Sequence, residues 1–318
     1  MTDETTDLRA GFCAIVGLPN VGKSTLLNRI LGRRLVAVSA KPQTTRDRIL
    51  GVHTIQLPDA PGWAQIAYVD TPGVQDGRGP LRRYMRDAAI AAAADADVAL
   101  LMIDASDRRG RLPARMDMDD ARELFDASRS HPIVVAINKI DRIPKPDLLP
   151  LLQEWMTVTS DVVPISATDG DNVDQLERVI GQHLPIGPAL FPDDMVTDRS
   201  PQFIAQEIIR EQLYHQLGKE LPYACAVQIE TWNEKAGKKE LMIGAVIIVE
   251  RDSQKPIVVG RAGSRIRELG IAARSAVAEA LGYSEVHLSL FVKVLAEWSR
   301  GEKELQRLGY TPSGGGEA

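Results

Sequence analysis

Between Gly17 and Thr25 the chain reads GLPNVGKST. These residue types suit the holding of a phosphate chain. Gly17 and Gly22 allow the backbone to wrap closely around an anion, and Leu18, Pro19, Asn20 and Val21 complete the loop between them. Lys23 is placed to reach β and γ oxygens, the Ser24 hydroxyl suits a bound Mg2+, and Thr25 continues into helical spacing. The apolar run GFCAIVG precedes the loop, which gives the strand–loop–helix context that a P-loop needs.

Which base such a phosphate chain carries is set elsewhere. NKID (Asn138, Lys139, Ile140, Asp141) ends another apolar run. The Asp141 carboxylate only accepts hydrogen bonds, and guanine offers N1–H and N2–H2 together. Adenine would turn a lone pair on the buried charge, a mismatch that discriminates by about 10⁴–10⁵. SAT follows a later strand, with Ser166 and Ala167 placed to back the base. In DTPG, Asp70 can hold Mg2+ through water, Thr71 and Pro72 follow, and the Gly73 N–H can sense a γ-phosphate. The next loop, VQDGRGP, begins at Val74 and is suited to order–disorder switching. KPQTTRDR offers Thr44 or Thr45 as a second hydroxyl for Mg2+. Together these residues imply GTP and GDP as ligands, with Lys23, Gly73 and one of Thr44 and Thr45 nearest the chemistry.

A second glycine loop lies near the other end, in VVGRAGSRIRELG. GRAG (Gly260, Arg261, Ala262, Gly263) lacks the Lys-Ser/Thr pair of a P-loop and the third glycine of a dinucleotide fingerprint. It matches the GXXG loop that clamps about four unpaired nucleotides. Arg261, Arg265 and the start of the following helix supply positive potential. From Arg251 to Arg274, six arginines and lysines stand against two acids, in a chain of net charge −5. The β-branched residues before GRAG predict a strand there.

The elements that must position these residues follow from periodicity. Apolar runs at 11–17, 49–57, 63–70, 98–104, 132–138 and 161–166 predict strands. Helical spacing at 23–31, 81–93, 119–130, 148–158 and 173–184 lies between them. The alternation predicts an α/β domain over 10–185: a mostly parallel six-stranded sheet, helices on both faces and one hairpin. Residues 186–200, rich in proline and acid, read as a linker. A smaller α+β domain follows over 201–310, in the order helix, strand, strand, loop, helix, strand. Residues 1–9 and 311–318 read as disordered ends.

Composition sets outer bounds. Hydrophobic residues make up 44% and charged residues 25%, the range of an ordinary globular chain. Net −5 excludes a generally basic nucleic-acid binder, so any such site is a local patch. The N-terminus has no signal-peptide pattern and no run is long enough to span a bilayer, which predicts a cytoplasmic protein. The two cysteines and five histidines show no disulfide or zinc spacing. Trp232 and Trp298 read as packing residues, with base stacking the alternative.

The ordered set GLPNVGKS, QTTR, DTPG, NKID and SAT resembles the translation-factor-like GTPases, and QTTRDRILGVHT is similar to the Era family. VPISA, FPDDMVTDRS, EIIREQL and ELPYACAV extend the resemblance over about Phe12 to Tyr310. It implies a P-loop GTPase joined to a type II KH domain, with a short helix, capped by Ser253, before GXXG. It implies Thr45 over Thr44 as the Mg2+ ligand. It also implies K+ at Asn20 and an apolar Val74 where Ras-like enzymes carry a water-orienting glutamine. Its implied partners are the 3′ region of 16S rRNA and the 30S subunit, with loose inner-membrane contact by a monomer. Rival readings are a GTPase of tRNA modification or large-subunit assembly, a P-loop small-molecule kinase, and an RNA scaffold with a vestigial GTPase. GXXG speaks against the first, NKID with SAT against the second, and the intact nucleotide motifs against the third.

Overall fold

The computed structural model describes residues 7–39, 41, 44–58, 62–73, 79–107, 126–128, 130–218, 221–235 and 238–310. In the first of two compact units, β1 (Asp7–Val16), β2 (Ile49–Leu57), β3 (Gly62–Asp70), β4 (Val98–Asp104), β5 (Ile133–Asn138) and β6 (Val162–Pro164) form one sheet. Its order is β2-β3-β1-β4-β5-β6. Only the β2–β3 pairing is antiparallel. The central strands are continuous apolar runs because both of their faces are covered: Cys13, Ala14, Ile15, Val98, Ala99, Leu100 and Val134 to Ile137 have no solvent exposure. The covering helices include α1 (Lys23–Ile30), α2 (Pro80–Asp95), α3 (Lys145–Trp155) and α4 (Val173–His183). Alanines let α2 approach closely, with Ala89, Ala93 and, just past its end, Ala96 packed with Ala14 and Val16. Of the helix predicted over 119–130, only residues 126–128 and 130 are described, and 126–128 are helical.

Two expected boundaries move. Residues 7–9, predicted as disordered, belong to β1, where Arg9 Nη1 donates to Leu184 O at 2.7 Å. The predicted linker is largely a strap on the first unit, which extends to Asp198. The buried Gln65 amide donates to Phe191 O (2.9 Å) and accepts from Leu190 N (2.8 Å) and Phe191 N (2.9 Å). Val52 N donates to Val196 O at 2.8 Å, and the Thr197 hydroxyl donates to Leu50 O at 2.7 Å. Phe191 and Met195 pack over Leu50, Val52, Ala67 and Val69. Proline and acid made this stretch read as a linker, yet the Gln65 side chain and the Val52 N–H of the sheet supply partners for its backbone.

The described residues within 33–44, 78–84 and 199–310 form the second unit. The first two stretches had been expected in the GTPase domain. Strands β7 (Cys225–Glu234), β8 (Glu240–Val249) and β9 (Glu285–Val294) form a sheet in that order, antiparallel then parallel. Its helices are α5 (Pro201–Gln216), α6 (Lys255–Val259), α7 (Ser264–Leu281) and α8 (Glu302–Arg307). Ser200 caps α5 by accepting from Phe203 N at 3.2 Å. Leu269, Ala273 and Val277, spaced by four, form the buried stripe of α7, and Gly282 at φ 72 ends it. Residue propensity predicts a strand at PIVV, and the structure has the helix α6 that the resemblance implied. Ser253 does not cap it; Gln254 Oε1 accepts from Glu250 N (2.9 Å) and Arg251 N (3.0 Å) instead. Trp298 is fully buried and stacks on Tyr310 with centroids 6.2 Å apart, so it is a core residue. Cys13 and Cys225 are both free and buried.

Candidate functional site

The P-loop connects β1 to α1. Gly17 has φ +150°, and a Cβ there would lie 2.6 Å from Met102 O. Gly22 has φ +106°, and its Cβ would lie 2.3 Å from Asn138 Nδ2. Both positions therefore need glycine. Gly22 precedes α1 and no side chain caps the helix, leaving its first amides suited to an anion. Lys23 is buried, and its ammonium donates to Gly17 O at 2.9 Å and Leu18 O at 3.1 Å. Burial lowers its pKa to about 8, against the opposing attraction of Asp70.

Ser24, Thr45 and Asp70 come together beside Lys23. Ser24 Oγ lies 2.8 Å from Thr45 Oγ1 and donates to Asp70 Oδ2 at 2.8 Å. Thr45 Oγ1 donates to the same carboxylate oxygen at 3.3 Å. Thr44 turns away and donates to Lys41 O at 2.9 Å. All three are hard oxygen donors, and cis ligands on an octahedral ion with ~2.1 Å bonds lie about 3 Å apart. The set thus fits Mg2+. The Thr71 hydroxyl is used structurally, donating to Ile15 O at 2.8 Å. Gly73 follows Pro72, and a Cβ on it would lie 2.8 Å from Pro19 Cα, so DTPG runs against the P-loop. Val74 lies outside the described residues.

The base end is tied to the same loop. Asn138 Nδ2 donates to Val21 O at 2.7 Å, and its Oδ1 accepts from Ala167 N at 2.9 Å. Lys139, at φ 66, donates to Asn20 O at 2.6 Å. Asn20 itself is left-handed, with φ 64. Asp141 follows Ile140 and accepts from Ser166 Oγ at 2.8 Å. Sequence reading missed two supports here. Arg29, within α1, donates to Ala167 O (3.2 Å) and to Thr168 O. Asp104, at the end of β4, binds Lys139 at 2.6 Å. Neither belongs to a motif, and only the fold brings them in. Thr25 lies within α1.

In the second unit the other glycine loop sits between α6 and α7. Gly260 has φ +77°, and a Cβ on it would lie 2.8 Å from Arg265 N. Gly263 also has φ +77°, with nothing within 4 Å of an added Cβ. Ala262 is left-handed at φ 49. Arg261 is exposed. Arg265 folds back, Nη1 donating to Ile257 O at 2.6 Å, and so braces the loop. Beside it lies a groove of about 410 Å³, lined by Ile266, Arg267, Gly270, Ile271, Leu288 and Leu290. No motif pointed to it, because α7 and β9 are joined only by tertiary packing.

A family model described as 50S ribosome-binding GTPase matches residues 12–139, and a KH domain model matches residues 220–299. GTPase Era of Geobacter metallireducens is 41% identical, over 95% of this chain and 98% of its own. GTPase Era of Pseudomonas syringae pv. tomato is 45% identical, over 97% and 99%. Among solved structures, a variant of Aquifex aeolicus Era bound to GDP·AlF4⁻ superposes with TM-score 0.85 at 38% identity, covering 95% of this chain and 99% of that one. Era in complex with MgGDPNP and nucleotides 1506–1542 of 16S ribosomal RNA gives 0.84 at 38%, covering 96% and 99%. With its nucleotide motifs gathered at the carboxyl ends of the strands, a GXXG loop beside a groove, and this near-full-length identity, the chain belongs to the Era family of GTPases.

Proposed function

We propose that this protein is a GTP-hydrolysing switch whose KH unit binds single-stranded RNA at the 3′ region of 16S rRNA during small-subunit maturation. The observation that carries the reading is the presence, in one chain, of the Ser24–Thr45–Asp70 cluster beside a P-loop and of a GXXG loop beside a groove. The relative solved with MgGDPNP and 16S RNA supports pairing these two sites.

In the nucleotide site, Gly17 to Thr25 wrap the phosphates, Lys23 turns from its loop carbonyls to β and γ oxygens, and Asp141 reads guanine. Ser24, Thr45 and Asp70 would hold Mg2+. That ion, when bound, neutralises charge on the phosphate oxygens and leaves the γ-phosphate open to water. Gly73 N–H senses that phosphate. Val74 cannot polarise water, so clamping of the phosphates carries hydrolysis. The side-chain oxygen of Asn20 is the P-loop ligand a K+ ion would use; turnover in K+ against Na+ at equal ionic strength tests it. In the KH unit, Gly260 to Gly263 clamp the RNA backbone while Arg261, Arg267 and Arg274 supply charge. The reading includes a cytoplasmic monomer touching the inner membrane peripherally. Among the described residues no helix is long and apolar enough to cross a membrane.

GTP orders the loops around Thr45 and Gly73, and that state favours RNA; reciprocity makes RNA favour GTP. The test is binding of a short RNA from the 16S 3′ end, with GTP analogue or GDP, at two salt concentrations, to wild type and Gly263→Asp. Asp tolerates a left-handed backbone, and the site has room for its Cβ. The variant should fold and repel phosphates. Nucleotide- and salt-dependent binding lost in the variant is expected. No binding by the wild type in any state would overturn the RNA assignment.

A further inference from the structure

Asp104 closes β4 and lies opposite Asn138, the first residue of NKID, in the parallel register of β4 with β5. Its two carboxylate oxygens have different partners. Oδ1 accepts from the Ser106 N–H at 2.9 Å and the Ser106 hydroxyl at 2.6 Å, which fixes the plane of the carboxylate. Oδ2 accepts from Lys139 Nζ at 2.6 Å, and the same ammonium donates to Asn20 O at 2.6 Å. The Lys139 and Asp104 side chains are only 18% and 15% exposed, so salt screens this pair less than it would a surface pair. Burial would raise the Asp104 pKa, but the bonds from Lys139 and Ser106 outweigh it and hold it below the ordinary carboxylate value. Asp104 is therefore a carboxylate at neutral pH.

Two successive P-loop carbonyls are thus held by two successive residues of NKID. Lys139 holds Asn20 O, and Asn138 holds Val21 O. A trans peptide sets its N–H opposite its C=O. Holding these two carbonyls turns the Val21 and Gly22 N–H groups away from NKID, in the sense a phosphate cradle requires. Asn20 is left-handed, a backbone that asparagine adopts more readily than most residues, and the hold on its carbonyl fixes the peptide in that orientation. A lysine ammonium on a four-carbon stem is mobile unless anchored, and Asp104 is its anchor.

We propose that Asp104 is a positioning residue of the nucleotide site. It fixes the Lys139 ammonium against Asn20 O and so keeps the P-loop preorganised for phosphates. The inference rests on the guanine-nucleotide reading above. It concerns binding and release more than the hydrolytic step, because Asp104 bonds to Ser106 and Lys139 and not to the Ser24–Thr45–Asp70 cluster.

The test is release of fluorescent GDP from the full chain, with steady-state GTP turnover and thermal unfolding of each protein. The proteins are wild type, Asp104→Asn, Lys139→Gln, the double variant and Ser106→Ala. Loss of one charge-assisted bond predicts GDP release about tenfold faster in Asp104→Asn, with KM for GTP rising more than kcat falls. The double variant should release GDP no faster than Lys139→Gln alone, since both changes break one linkage. Ser106→Ala, at an exposed position, should shift release in the same direction by a smaller factor. Effects that multiply in the double variant would overturn the proposal, because Asp104 would then act independently of Lys139. Wild-type release rates in Asp104→Asn would overturn it too, with the nucleotide reading intact. If Asp104→Asn does not fold, unchanged release in Ser106→Ala does the same. A wild type that binds no GDP overturns the underlying reading instead.

Discussion

Lys23 sits almost wholly out of solvent, and burial brings its pKa down to about 8 from 10.5. That shift is a folding cost of roughly 3 kcal/mol at neutral pH, since each pKa unit is about 1.4 kcal/mol. The unfolded chain binds the proton more tightly, so stability of the nucleotide-free protein rises with pH between the folded value of about 8 and the unfolded value of 10.5. Phosphates reverse the environment. With anionic oxygens in reach the ammonium form is favoured again, and nucleotide binding takes up the missing proton. From a pKa of about 8, GDP should carry in ~0.8 proton per site at about pH 8.5 and ~0.1 at about pH 7. Calorimetry of GDP binding in two buffers of different ionisation enthalpy reads this number directly. Lys23→Met, measured in parallel, subtracts protons taken up elsewhere and should remove most of the pH 8.5 uptake while weakening affinity. Equal binding heats in both buffers at about pH 8.5, with tight wild-type binding, would refute the reasoning. Lys23 would then be fully charged before the nucleotide arrives.

Two further outcomes follow from other residues. Thr45→Val removes a hydroxyl from the Ser24–Asp70 cluster, whereas Thr44→Val removes one bonded to Lys41 O. Mg2+-dependent affinity for a GTP analogue should fall about tenfold or more for Thr45→Val and stay within about twofold for Thr44→Val; the opposite order in a titration of Mg2+ would exchange their roles. His53 Nδ1 bonds Glu177 Oε1 at 2.8 Å, the same oxygen that accepts the Tyr68 hydroxyl at 3.1 Å. The Glu177 hydrogen bond raises the His53 pKa above 6.5, with burial opposing it and Asp174 adding to the attraction. This stabilisation is complete below pH 6.5 and is lost as pH rises through the folded value. Denaturant midpoints should therefore fall over that window in wild type and less in His53→Gln; parallel curves would show that the pair carries no linkage.

The nucleotide motifs were legible because each is a local device. Gly22 must be glycine for its φ and for the 2.3 Å approach of Asn138, and a short sequence pattern records such a need. The central strands were legible because full burial requires unbroken apolar runs, as at VALLMID. Choosing between Thr44 and Thr45 was not local. Their types are identical, and only the fold shows which hydroxyl turns toward Asp70 and which toward Lys41.

Local preference failed where partners come from afar. The strap at 190–197 has a loop composition, but Gln65, 125 residues away from Leu190, satisfies its backbone. PIVV has strand residues, yet it forms α6, with Val258 fully buried and Pro256 in the first helical turn, where its missing N–H costs nothing. Gly260, at φ 77, then ends the helix and starts the glycine loop. A strand there would need a neighbour to pair with, whereas a five-residue helix needs only one buried face and a residue able to leave it left-handed. The same glycine that marks the loop therefore fixes the element before it, and a reading that treats the two together recovers the helix that propensity alone misses.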